Sequence, residues 1–271
     1  MPETAYDAPA PPRGFLEHGY GERVHVLADT WALSVLSRIG HPDCKPPVLH
    51  DLIASAYWRL LHATIDQLPT RLVEADTRMT AGEPRATFRG RIVDPDHPAV
   101  VVDVARAGIL PSQVVQRALL EVLSPERVRV DHLYLQRRAD PVSGEVVGVD
   151  FSGNKIGGDV EGATIYIPDP MGATGSSVAH VIRHYRDVVP GAQRAIVTCH
   201  LMVTPEYLRR ITTEFPEVHV YALRVDRGLS PESVLATPLG ARWDEERGLD
   251  DRSYIVPGAG GMGEVINNSF V

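Results

Sequence analysis

Five short apolar runs, rich in β-branched residues, recur through this chain at 99–104, 128–135, 164–167, 195–203 and 218–225. Runs that are apolar throughout suit strands covered on both faces, which is the condition of a parallel sheet. The segments between them predict helices over 109–123, 176–188 and 205–215, the last N-capped by Thr204. Strands alternating with helices of this length form βαβ units, so the expected fold is α/β, a central parallel sheet flanked by helices. Ligands of such sheets bind beyond the carboxyl ends of the strands, in the loops that lead into helices.

Elsewhere the pattern is weaker. Apolar residues at helical spacing from Leu49 to Leu68 predict an amphipathic helix over 49–73, interrupted late by Pro69. The polar, glycine-bearing segment 136–162 predicts a two-stranded arm or flap. Residues 1–13, with Ala8-Pro9-Ala10-Pro11-Pro12, predict a disordered leader, leaving 14–271 as one domain. No run of eighteen apolar residues predicts a membrane span, and no secretory signal pattern is seen. The two cysteines, Cys44 and Cys199, lack metal-site spacing and suit a reducing compartment, so a cytoplasmic location is expected. A net charge of −8 argues against nucleic acid as a partner. It also means that any polyanion site must concentrate cations and oriented amides locally.

The segment from Ile165 to Ser177 meets that requirement. It is an apolar strand ending in Asp169, then a turn of small residues (Gly172, Ala173, Thr174, Gly175) opening a helix at Ser176 and Ser177. Small residues let backbone amides approach a phosphate, and the helix N-terminus adds partial positive charge. Thr174, Ser176 and Ser177 add hydroxyl donors, and Asp169 stands where ribose hydroxyls or a bound Mg²⁺ would be met. A generic turn of this kind is more often a capped helix start than a ligand site.

The full string is not generic. Asp169-Pro170-Met171-Gly172-Ala173-Thr174-Gly175-Ser176-Ser177 resembles the loop with which uracil phosphoribosyltransferases bind 5-phosphoribosyl 1-pyrophosphate (PRPP). Three further segments follow the same family's order. Val104-Ala105-Arg106-Ala107-Gly108 resembles its pyrophosphate loop. Arg137-Arg138 opens the flap and Lys155 stands at its far end, with Arg137 the better match by register. Tyr254-Ile255-Val256-Pro257-Gly258 resembles its base-binding segment. The resemblance implies a type I phosphoribosyltransferase fold with a β-arm and a small C-terminal hood over about 250–266. It implies transfer of ribose 5-phosphate from PRPP to a uracil-like base, with Asp169, Arg106 and Arg137 as the catalytic group and UMP as the product if the base is uracil. It further implies Mg²⁺ held mainly through PRPP and near Asp169, and a homodimer or higher homo-oligomer. Tyr254, Ile255, Val256, Gly260, Gly261 and Met262 would face the base.

The last loop departs from the family, whose usual string is Gly-Asp-Ala-Gly-Asp. Here it reads Gly260-Gly261-Met262-Gly263-Glu264, which removes an acid at Gly261 and places the bulky, adaptable Met262 beside the base. A different heterocyclic acceptor, or a catalytically silent PRPP or nucleotide sensor, therefore stands beside the uracil reading. Two decoys fail on context. The dinucleotide-like string at 258–263 has no room for a βαβ unit after it, and His180 and His184 lack the glutamate of a zinc-helix motif.

Overall fold

The computed structural model describes residues 14–139 and 146–269, with side chains given except at 136–139 and 146–151. The expected leader at 1–13 lies outside the described residues. The chain begins with β1 (Val24–Val26), α1 (Thr30–Ile39) and α2 (Val48–Thr64), followed by the strands β2 (Thr70–Asp76) and β3 (Thr87–Val93). The next elements are β4 (Ala99–Ala105), α3 (Ile109–Leu119), β5 (Val128–Ala139), β6 (Val146–Lys155), β7 (Thr164–Pro168) and the two-residue β8 (Met171–Gly172). Last come α4 (Ser176–Asp187), β9 (Ala195–Val203), α5 (Pro205–Glu214), β10 (His219–Val225), α6 (Glu232–Leu235) and α7 (Met262–Asn267).

The five runs become the spine of one sheet in the order β1-β10-β9-β7-β4-β5-β6, with β8 paired to β9. Every pairing is parallel except β5 with β6, the expected arm. Alternation along the strands explains the unbroken apolar runs. In β4, Ala99 and Val101 face a layer built by α1, α2 and α3, while Val100, Val102 and Val104 face the opposite layer with α4 and α5. Both faces are covered, so polar atoms in these strands are costly, and the buried Asp103 Oδ1 and Tyr166 hydroxyl stand without a hydrogen-bond partner among the described residues.

The helix expected over 49–73 ends at Thr64. A 3₁₀ turn carries the chain to Gln67, Leu68 is extended before Pro69, and residues 70–73 belong to β2. Proline lacks the N–H a helix needs and drives its predecessor out of the helical region, so the late interruption is a terminus. The strands β2 and β3 pair only with each other, and their side chains are largely exposed on both faces. α3 stops at Leu119, short of the expected 123. Among the described residues, no helix is long and apolar enough to cross a membrane.

Thr204 caps α5 as expected, its hydroxyl oxygen accepting from Tyr207 N at 3.0 Å while its O–H donates to Ala173 O at 2.7 Å. One side chain thus joins the start of α5 to the small-residue turn. Thr204→Ala is expected to lower unfolding stability by about 1–2 kcal/mol, read by urea denaturation. An unchanged midpoint would remove the cap from the account.

Candidate functional site

The loop after β7 is held from below. Asp169 N donates to Cys199 O at 3.0 Å, and Asp169 O accepts from His200 Nδ1 at 2.6 Å. Burial pushes His200 down to about 3, so its ring is neutral, and Nε2 accepts from the Tyr207 hydroxyl at 2.6 Å. The Asp169 carboxyl is shielded from water, which raises it to about 6. The Met171 N–H, 3.0 Å from Oδ1, offsets part of that effect. Asp169 is therefore a carboxylate at neutral pH with a reduced hold on its charge.

The turn then closes on itself. Thr204 N donates to Gly172 O at 3.0 Å, and a Cβ on Gly172 would stand 2.7 Å from Val203 Cγ1. Gly175 sits at φ +76°, where other residues are strained, and it leads into α4, which begins without a side-chain cap. Ser176 N donates to Thr174 Oγ1 at 3.3 Å, and the first-turn amides that follow it suit an anion. Arg210, reaching across from α5, donates to Thr174 O at 3.0 Å and to the Ser176 hydroxyl. With its oxygen accepting from a guanidinium, Ser176 has its own proton available for another acceptor. Sequence reading missed Arg210, because only tertiary packing brings α5 beside this turn.

The second loop leaves β4 at Ala105. Gly108 is required there: a Cβ would lie 2.7 Å from Val104 O and 3.2 Å from Pro168 O. Arg106 donates from Nη1 to Ser269 O at 3.1 Å and to Ser269 Oγ at 2.9 Å, so the chain's C-terminal segment occupies the guanidinium. Ala107 faces the first turn of α7, 3.6 Å from where a Cβ on Gly263 would be.

The third element is the stretch after β10. Asp226 Oδ2 accepts from Gly258 N at 2.9 Å, and the Glu206 carboxylate accepts from Gly248 N at 3.0 Å. Val256 N donates to Gly248 O at 2.8 Å and Gly228 N to Val256 O at 2.9 Å. These bonds fasten a segment with little regular structure, and the Asp250 carboxylate shapes its tip by accepting from Tyr254 N at 2.8 Å.

The three elements enclose a cleft of about 250 Å³. One wall is the turn from Ala173 to Ser177, with Asp169 and Met171 below it. The other wall is residues 252–255 and 260–264, and Ala107 lies between. Of the residues singled out from sequence, Asp169, Met171, Ala173 to Ser177, Ala107, Tyr254, Ile255, Gly260, Gly261 and Met262 line this space. Pro170 and Gly172 are buried behind the turn and Val256 is turned away, because their backbone bonds to β9 and to residues 228 and 248 set the loops. Arg106 and Gly108 support the floor without lining it. Lys155 pairs with His132 in the sheet, is exposed, and stands outside the cleft. The backbones of Arg137 and Arg138 pair with Val149 and Gly148, while their side chains lie outside the described residues. Arg252, Ser253 and Glu264 also line the cleft, beyond the site residues that the sequence points to.

A Mg²⁺ ion would find few protein ligands here. No group of three or more His, Cys, Asp or Glu suited to a metal occurs among the described residues. The Asp169 carboxylate below the phosphate turn and the Glu264 carboxylate on the opposite wall are too few to cage the ion, which fits an ion carried largely by substrate oxygens, as Mg²⁺ is commonly held.

Comparison with known proteins gives a consistent picture. A family model described as uracil phosphoribosyltransferase matches residues 28–244. Similar proteins named uracil phosphoribosyltransferase include one from Methanococcus maripaludis, 29% identical over 35% of this chain and 39% of that protein. Others come from Dictyoglomus thermophilum (24% identical over 84% of this chain and 91% of that protein) and Variovorax paradoxus (27%, over 82% and 96%). The chain thus spans well under half the length of the first of these relatives. Among solved structures, the AQ2163 protein of Aquifex aeolicus shares the fold with a TM-score of 0.67 at 20% identity, over 90% of this chain and 97% of that one. The matched range 28–244 ends before the cleft wall formed by residues 252–264.

Proposed function

Because the chain belongs to the uracil phosphoribosyltransferase family, we propose that its cleft transfers ribose 5-phosphate from PRPP to a uracil-like heterocyclic base, giving UMP if the base is uracil. The observation that carries this reading is one cleft with an anion-suited turn on one wall and an aromatic, backbone-rich segment on the other. The 5-phosphate sits against Thr174 to Ser177, and Asp169 accepts from the ribose hydroxyls. Arg106 exchanges Ser269 for pyrophosphate oxygens, since a charge-assisted bond outcompetes one to a neutral carbonyl. Arg137 or Arg138 approaches the pyrophosphate from the flap, and Lys155, outside the cleft, has no part in holding it.

In the transfer, the C1–O bond to pyrophosphate breaks with its electron pair leaving on pyrophosphate. The lone pair of a ring nitrogen forms the new N–C1 bond, and that nitrogen's proton passes to solvent. The protein contributes position, shielding from water, and charge matched to the leaving group. A bound Mg²⁺ would add charge neutralisation of pyrophosphate. Pyrophosphate release from PRPP with Mg²⁺, measured across a panel of bases, tests the reading. PRPP binding without release would indicate a sensor, and absence of PRPP binding would reject the whole proposal.

Arg210→Gln is expected to raise KM for PRPP about tenfold with little change in melting temperature, because the guanidinium that fixes Ser176 is lost. An unmoved KM would leave Arg210 a purely structural residue. The exposed apolar side chains of the β2–β3 hairpin (Leu72, Phe88, Ile92 and, at its tip, Met79) suit contact between copies, so a homo-oligomer forms part of the proposal. Free Cys44 and Cys199 suit a cytoplasmic setting.

A further inference from the structure

Glu264 occupies an unusual place in the cleft. It stands in the first turn of α7, and its carboxylate folds back over Gly261, so that a Cβ at 261 would overlap Oε2 and lie 3.1 Å from Cδ. Glycine at 261 is therefore what admits this carboxylate. The same point is 3.6 Å from Tyr254 Cε1. A carboxylate and the edge of an aromatic ring thus converge over the one backbone position that carries no side chain. Both residues line the wall opposite the phosphate turn. Tyr254 is 45% exposed there, with the Arg252 guanidinium 5.7 Å from its ring centroid. Among the described residues the Glu264 carboxylate has no hydrogen-bond or ion-pair partner.

An ionised carboxylate only accepts hydrogen bonds. Facing phosphate or pyrophosphate it would repel, so it does not serve the donor's anionic ends. Facing a ring carbonyl it would leave two acceptors opposed in a confined space, at the cost of unmade hydrogen bonds. Beside a flat aromatic surface, the complementary group is a planar ring that presents N–H donors. Building on the phosphoribosyl-transfer reading above, we infer that Glu264 and Tyr254 select a heterocyclic acceptor bearing an amino group on the edge that meets Glu264. Uracil offers on the corresponding edge one N3–H flanked by two carbonyls that oppose the carboxylate, and is the poorer fit. A hydrogen-bonding site discriminates strongly against an analogue that cannot complete it.

Cytosine and uracil make a near-isosteric pair of probes, differing in an amino group against a carbonyl at C4 and in an acceptor against an N–H donor at N3. Calorimetric binding of each to the full chain, and pyrophosphate release with each in the presence of PRPP, are compared for the natural protein, Glu264→Gln and Glu264→Ala. Expected is at least tenfold preference for cytosine in the natural protein, lost in both variants, with the glutamine variant gaining on uracil because its amide donates to a carbonyl. KM for PRPP should stay within twofold. Equal binding of the two bases, or a preference for uracil unaffected by Glu264→Gln, would overturn the inference. So would a variant whose only change is in KM for PRPP, which would place Glu264 on the ribose. Failure of pyrophosphate release with every base speaks against the transfer reading alone, because base binding decides the Glu264 question by itself.

Discussion

Asp169→Asn should lower turnover of PRPP by about 100- to 1000-fold while leaving the protein as stable as before, or more so, at pH 7. The two halves of that result have one cause. Burial raises the Asp169 carboxyl to about 6 from an ordinary value near 3.8. A carboxyl whose folded value is raised stabilises the fold fully below pH 4, and that contribution is lost as pH rises through about 6. At neutral pH the ionised group therefore costs roughly 3 kcal/mol at most, and asparagine removes that cost. Activity runs the other way, because only the carboxylate accepts from ribose hydroxyls. In the natural protein, kcat/KM for PRPP should fall as pH drops through about 6 while thermal stability rises. Pyrophosphate release and melting temperature, both measured from pH 5 to 8, check the pair. Asparagine that keeps full activity would remove Asp169 from the ribose. A destabilised variant would show that the charge is a structural partner instead.

The parts of this molecule that were legible from sequence share a property: they are decided by neighbours in the chain. β4, β7, β9 and β10 were readable because both their faces are covered, which leaves unbroken apolar runs that few other structures would tolerate. The turn from Asp169 to Ser177 was readable because its backbone shape depends on Gly175 and on the small residues beside it. The β2–β3 hairpin was not readable, since its faces are both exposed and it carries no alternation. β1 was too short to register, holding the sheet edge with three residues paired to β10. In the site, the missed residues are those whose position is set by tertiary packing. Arg210 lies 34 residues from Ser176 in sequence and meets it only because α5 packs beside α4. Glu264 was noticed as a departure from a family string. Its return over Gly261 depends on where α7 begins, which no local pattern announced.

Arg106 shows the same limit from the other side, because the residue was found and its present partner was not. Arg106→Ala is expected to reduce kcat/KM for PRPP by about 100-fold, the scale of losing charge-assisted bonds worth roughly 2–3 kcal/mol. Arg106→Lys should recover only part of this, since an ammonium keeps the charge and loses the planar fork that grips two oxygens at once. The contact with Ser269 makes the effect separable from folding. Ser269→Ala removes one acceptor and leaves the backbone carbonyl at 3.1 Å, so it should change activity less than threefold and stability little. If the guanidinium merely pinned the C-terminal segment, Ser269→Ala and Arg106→Ala would weaken the protein together and leave KM for PRPP unmoved. If it grips pyrophosphate, Arg106→Ala alone raises that KM, and pyrophosphate as a product inhibitor loses affinity by a similar factor. Inhibition by added pyrophosphate therefore distinguishes a substrate contact from a structural one.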